Sequence, residues 1–243
     1  MKIIDRIIAK SKDIKAAPPV TIAFIGDSVT QGCFEIYTKS NGDIETVYDK
    51  NNAYHMHLSK ILATLYPSVP INIINAGISG GKAPQGLERL ERDVISFNPD
   101  LVVVCFGLND STKGIGMLNN YTDALDEIFK KLNAAGIETI FMTPNMMCTE
   151  VSCFVREPNH IETAQKVSDT QNGGVLETYL ENAKEVAKKN GVTVCDCYKK
   201  WKTLYNCGVN VTELLANKIN HPTREMNYLF AISLLETMMG AAD

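Results

Sequence analysis

The chain of 243 residues carries 24 Lys and Arg against 28 Asp and Glu, a formal net charge of −4. Without a basic cluster to displace counterions, a nucleic-acid-binding role is not expected. Its 16 Gly and 9 Pro exclude collagen-like and disordered classes. The longest apolar run, Leu101–Phe106, is far shorter than the ~18 residues of a membrane-spanning helix. The length suits one domain over 1–243, with a core that needs no disulfide staples.

Ile3, Ile4, Ile7 and Ile8 share one face of a helix, and Asp5, Arg6, Lys10 and Lys12 interrupt any apolar leader. This predicts a helix docked on the chain's own core rather than a secretory signal. The seven cysteines are then expected as reduced thiols of a cytoplasmic protein. Val20–Gly26, after Pro18-Pro19, is an apolar β-rich run and predicts a buried strand. Similar runs follow at Ile71–Ala76, Leu101–Phe106 and Ile137–Thr143, with a shorter one at Val192–Cys195. Between and after them, 3.6-residue periodicity predicts helices over Tyr54–Tyr66, Tyr121–Leu132, about Leu176–Asn190, and Glu225–Met239. Near-continuous strand runs alternating with helices predict an α/β fold. It has three layers, α/β/α, around a five-stranded parallel sheet wound in flavodoxin-like order.

Ligands of such sheets bind beyond the carboxyl ends of the strands. The residues found there are Gly26-Asp27-Ser28, Gly77-Ile78-Ser79-Gly80-Gly81, Gly107-Leu108-Asn109-Asp110 and Pro144-Asn145-Met146-Met147. No phosphate loop is spelled, since Gly26 and Gly32 lead into Cys33-Phe34, and no dinucleotide fingerprint follows the first strand. A hydroxyl, flexible amides and a carboxamide instead fit acyl transfer, which needs a nucleophile, a base, a group to orient the base and oxyanion donors. Ser28, at a strand-to-helix turn, is the candidate nucleophile. Of the four histidines, His221 stands in an extended loop before Pro222 and the last helix, where it can return to the sheet edge as the base. His55-Met56-His57 and Cys195-Asp196-Cys197 lack zinc-site spacing and read as helix surface and buried thiols, so neither metal nor cofactor is expected.

These blocks, Gly26-Asp27-Ser28, Asn75-Ala76-Gly77-Ile78-Ser79-Gly80, Gly107-Leu108-Asn109-Asp110 and His221-Pro222, resemble those of the SGNH or GDSL-like hydrolases, a superfamily of esterases, lipases and acetylesterases. The resemblance runs from Val20 to about Ala231. It implies Ser28 as nucleophile, His221 as base, and an oxyanion hole of the Ser28 and Gly80 amides with the Asn109 side chain. It also implies a small-molecule ester substrate, an acetylated sugar being the first choice. The family's usual Asp three residues before the catalytic His is here Lys218, which has only donors to offer. Asn217, Asn220 or a backbone carbonyl must then orient the imidazole, and Asn217 is the residue assigned. The competing reading is a pseudoenzyme or binding module that keeps the cleft. Two insertions flank the site, Cys33–Asn52 and the 33 or so residues of Thr143–Val175. The second is read as a specificity loop, with Met146, Met147 and Phe154 as apolar substrate contacts and Arg156 as an anion contact.

Overall fold

The computed structural model describes residues 1–240. A helix, α1 (Lys2–Lys12), precedes β1 (Val20–Gly26), the single turn α2 (Ser28–Gln31), and a hairpin of β2 (Cys33–Thr38) and β3 (Ile44–Tyr48). Then come α3 (Tyr54–Leu65), β4 (Ile71–Gly77), α4 (Ala83–Asp93), β5 (Leu101–Cys105), α5 (Leu108–Ser111), α6 (Leu118–Ala134) and β6 (Glu138–Met142). The chain ends with α7 (Pro158–Asn172), α8 (Val175–Lys189), β7 (Thr193–Cys195), α9 (Cys197–Asn206) and α10 (Asn227–Met239).

Five strands form one parallel sheet in the order β4-β1-β5-β6-β7. The order reverses at β1, as in flavodoxin-like sheets. Strand alternation divides the core into two. Ile22, Phe24 and Val103 face Tyr54, Leu58, Trp201 and Phe230 on one side, whereas Ala23, Ile25 and Val104 face Leu125, Phe129 and Tyr179 on the other. Every residue of β5 is buried, which is why that run is apolar on both faces. The expected α/β/α fold is the one observed. Among the described residues, no helix is long and apolar enough to cross a membrane.

Three helices longer than one turn escaped the periodicity reading, and each has a physical reason. Pro84 and Gly86 break the apolar pattern of α4 without breaking the helix, α7 is polar over most of its length, and α9 begins directly after the short strand β7. The first insertion is an antiparallel hairpin separate from the main sheet. The second begins by running inward. Thr143 N–H donates to Cys195 O, extending the β6–β7 pairing, and Cys148 N–H donates to Ile219 O. Met146 and Met147 are therefore 1% and 0% exposed within the core, and neither reaches a substrate. His55 and His57 are likewise buried rather than on a helix surface. His57 stacks on Tyr228 with ring centroids 3.8 Å apart.

The register sets Gly26 opposite both Gly77 and Cys105, so the loops after β1, β4 and β5 leave one edge of the sheet together. At that edge α2 rests on β4 so closely that only glycine fits at 77. A methyl there would stand 2.2 Å from Gln31 N and 2.6 Å from the Thr30 carbonyl carbon. Backbone cannot swing aside as a side chain does. Gly77→Ala should therefore cost about 1–3 kcal/mol of stability, the usual range for overpacking, and lower the melting temperature. An unchanged melt would mean that α2 does not depend on this contact.

Candidate active site

Ser28 opens α2. The turn is held by Asp27, whose Oδ1 accepts the Val29 N–H at 3.0 Å, and is closed by Gly32. Ser28 is 3% exposed, recessed in the floor of the sheet edge. The imidazole that meets it arrives from the other end of the chain: His221 Nε2 lies 2.9 Å from Ser28 Oγ.

The loop that delivers His221 is built by Asn217, not oriented by it at the ring. Asn217 Oδ1 accepts three backbone N–H groups, from Ile219 at 3.0 Å and from Asn220 and His221 at 2.9 Å each. Its Nδ2 donates to Asn220 Oδ1. The carboxamides of Asn217 and Asn220 are thus spent on the turn and on each other, and the assignment of Asn217 as third triad member is corrected. Lys218 takes the left-handed conformation this turn needs (φ 58°). Its ammonium lies 2.9 Å from both the carboxylate and the carbonyl oxygen of Glu213, turned to other partners than the ring.

The ring is oriented by main chain. His221 Nδ1 lies 2.8 Å from the carbonyl oxygen of Phe34 on β2. That carbonyl is available because β2 bulges. Cys33 pairs with Tyr48 but Ile36 pairs with Thr46, so Phe34 and Glu35 together oppose Val47. A bulge of this kind leaves a residue off the ladder and re-aims it. A carbonyl only accepts, so Nδ1 carries the proton and Nε2 presents its lone pair to the Ser28 hydroxyl. Burial lowers the His221 pKa to about 4, against the smaller upward pull of the Phe34 bond and of the Glu35 charge. No side-chain signal in the sequence could have disclosed this acceptor, although a backbone carbonyl is among the alternatives the sequence leaves open.

Across from His221, the loops after β1, β4 and β5 are tied together. Ile78 N–H donates to Gly26 O and Gly81 N–H to Ile78 O. Ser79 N–H donates to Gln31 Oε1 and Lys82 N–H to Gln85 Oε1. Among the described residues, no acceptor is found for the N–H of Gly80 or of Ser28. Gly80 has φ 75°, and no atom lies within 4 Å of where a side chain would stand. Asn109 Nδ2 is 3.1 Å from Gly81 O and 3.5 Å from Asp27 Oδ2, which brings the third candidate donor to the same loops.

Phe154 is 66% exposed, with the Lys218 ammonium 6.0 Å from its ring. With Tyr37, Arg156 and His160 it borders a cavity of about 440 Å³ on the outer side of the hairpin and the His221 loop, and the lining of that cavity includes neither Ser28 nor His221. A second cavity, of about 390 Å³, opens beside Gly80 and is bounded by Ile78, Gln85, Glu88 and Arg92. Among the described residues, no three His, Cys, Asp or Glu side chains gather as a metal site would require. The cysteines are free, and the nearest pair, Cys195 and Cys197, has sulfurs 3.8 Å apart.

The profile of the GDSL-like lipase/acylhydrolase family matches residues 24–228. An acetylxylan esterase of Geobacillus stearothermophilus is 30% identical over 132 residues, a match covering 51% of this chain and 58% of the relative. The crystal structure of an acetylxylan esterase from the same organism superposes with a TM-score of 0.65 at 21% identity, over 90% of this chain and 94% of that one. A two-domain esterase active on acetylated mannans gives 0.67 at 16% identity, over 98% of this chain and 52% of that one.

Beneath these loops lie two buried carboxyl groups. Burial drives the Asp27 pKa up to about 7, and the charge of Asp110 adds to this. Burial also drives Asp110 up to about 6; its Oδ1 accepts the Ala83 N–H at 2.9 Å while Oδ2 has no partner. A carboxyl raised above its unfolded value stabilises the fold fully below that value and loses the contribution as pH rises through the folded one. Asp110→Asn keeps an oxygen for Ala83 and removes the charge. Relative to the parent, its melting temperature should improve as pH rises from about 4 to about 6, between the ordinary and the raised value of Asp110, and the gain should level off above that. The histidines with lowered pKa act oppositely in both proteins and cancel in this difference. Parallel melting-temperature profiles would show that Asp110 does not titrate in this range.

Proposed function

The chain belongs to the GDSL-like lipase/acylhydrolase family, and from that membership and the contacts of Ser28 we propose that it is a serine esterase. It removes a small acyl group, acetyl on a carbohydrate, through an acyl-Ser28 intermediate. The observation that carries this reading is the continuous relay from Ser28 Oγ to His221 Nε2 (2.9 Å) and from His221 Nδ1 to the Phe34 carbonyl (2.8 Å).

In this reading Oγ attacks the ester carbonyl carbon while its proton passes to Nε2. The oxyanion that forms takes the unclaimed N–H groups of Ser28 and Gly80. Asn109 Nδ2 adds a third donor by giving up its longer contact with Asp27. The imidazolium returns its proton to the leaving alcohol oxygen, and the carbon–oxygen bond breaks to leave acyl-Ser28. Nε2 then deprotonates a water, which attacks the acyl carbon; the carbon–Oγ bond breaks, Oγ takes back the proton from the imidazolium, and the acid is released. No cofactor enters these steps. Acetylated polysaccharides are favoured by the relatives named above, which are described as acting on acetylated xylan and mannan. Beside Gly80, Gln85, Glu88 and Arg92 offer amide, carboxylate and guanidinium partners for sugar hydroxyls. Phe154, with Tyr37 across the outer cavity, offers a face for a sugar ring.

A binding module without catalysis would need Ser28 to be unactivated, and the relay argues against that. Ser28→Ala should lose ester turnover on p-nitrophenyl acetate and labelling by a fluorophosphonate while melting as the parent does. Wild-type kcat in Ser28→Ala would overturn the assignment. The pH dependence is also set. Only neutral His221 can take the serine proton, and burial brings its pKa down to about 4. The acid limb of kcat/KM should therefore fall well below the ordinary imidazole value of ~6.5. An acid limb at 6.5 or above would show His221 to be solvated or charge-paired, contrary to the buried ring described.

A further inference from the structure

The carbonyl that orients His221 belongs to a hairpin outside the main sheet, and a two-stranded hairpin alone has little stability of its own. Its outward side chains are exposed, Tyr37 at 47% and Tyr48 at 54% among them. Something must hold the bulge against the imidazole. Three residues beyond His221, Arg224 reaches back across the bulge. Its Nη1 and Nη2 meet the two oxygens of Glu35 at 2.6 and 3.1 Å, and its Nε meets Asp49 Oδ2 at 2.7 Å. Its guanidinium carbon lies 4.4 Å from the centre of the Phe34 ring. A single side chain thus touches Phe34, its neighbour Glu35, and Asp49 just past the end of β3.

We propose that Arg224 is a positioning residue, clamping the β2–β3 bulge so that the Phe34 carbonyl stays on His221 Nδ1 and keeps Nε2 free for Ser28. The proposal rests on the acyl-serine reading above. The magnitudes separate this role from a stabilising one. The side chain of Arg224 is 32% exposed, with Glu35 at 43% and Asp49 at 26%. Ion pairs this open to water contribute little to stability. A bidentate fork with a third bond and a ring contact nevertheless fixes direction closely. The clamp should matter more to kcat than to the melt.

The test compares Arg224→Gln, Arg224→Lys and Glu35→Gln with the parent on p-nitrophenyl acetate. Lys39→Gln serves as control, because it breaks the Lys39–Glu45 pair of the same hairpin away from the bulge. Arg224→Gln should lower kcat by about 10–100-fold, short of the ~10⁴ that follows loss of a triad carboxylate, with KM changed by less than about 3-fold. Arg224→Lys, which keeps charge but not the fork, should fall between. Glu35→Gln should lower kcat in the same direction and supplies the answer if Arg224→Gln does not fold. The ¹⁵N spectrum of His221 should show one Nδ1–H tautomer in the parent and a mixture in Arg224→Gln, with Lys39→Gln like the parent. Unchanged kcat with an unchanged spectrum, a rise in KM alone, or an equal loss in Lys39→Gln would each overturn the proposal. Activity surviving in Ser28→Ala would instead sink the acyl-serine reading, and the spectra would still judge the clamp.

Discussion

A backbone carbonyl has lone pairs and no proton, and the arrangement around Ser28 follows from that one-way chemistry. Phe34 O can only accept, so His221 must keep its proton on Nδ1 and turn an empty Nε2 toward the serine. Bonding in a strand ladder would have claimed the same oxygen, and the bulge that places two residues opposite Val47 releases it. The site is therefore assembled from three distant stretches: a turn after β1, a bulge in an inserted hairpin, and a loop before α10. The main sheet fixes only the first.

The opposite wall is knit by buried acids. Asp27 caps α2 and approaches Asn109, while Asp110 holds the first amide of α4. Both bond backbone N–H groups, which favours charge, yet burial outweighs that in each and leaves their pKa values near neutrality. The same dryness that disfavours their charge would strengthen any dipole aimed at an oxyanion on the loops above them.

What the sequence made legible divides along the same line between side chain and backbone. The five strands, the order of the sheet and the meeting of Ser28 with His221 could be read because apolar runs and side-chain motifs carry them. Asn217 does belong to the loop that delivers His221, but it bonds that loop's backbone and not the imidazole. Its short carboxamide reaches the N–H groups of its own turn before it can reach a ring. Met146 and Met147 follow a strand at the active-site edge, the position of a cleft residue, but the chain there turns inward under the His221 loop. Periodicity cannot tell those two outcomes apart. The Phe34 carbonyl had no signature at all, since every residue type supplies the same atom.

Replacing a carboxylate with a carbonyl at the imidazole has a chemical consequence that the surroundings only partly offset. A carboxylate would raise the base toward neutrality and stabilise the imidazolium as it forms; a carbonyl dipole does less of both, and burial takes the His221 pKa to about 4. Glu35, the second residue of the bulge, pulls upward on the ring, but its charge is shared with Arg224. A base this weak takes the serine proton less readily than one poised near the working pH. It is also neutral, and so competent, at every pH from mildly acidic upward. In the proposed mechanism the arrangement gives up driving force for proton transfer and gains a base that needs no activation, which would place the burden of transition-state stabilisation on the candidate oxyanion donors Ser28, Gly80 and Asn109.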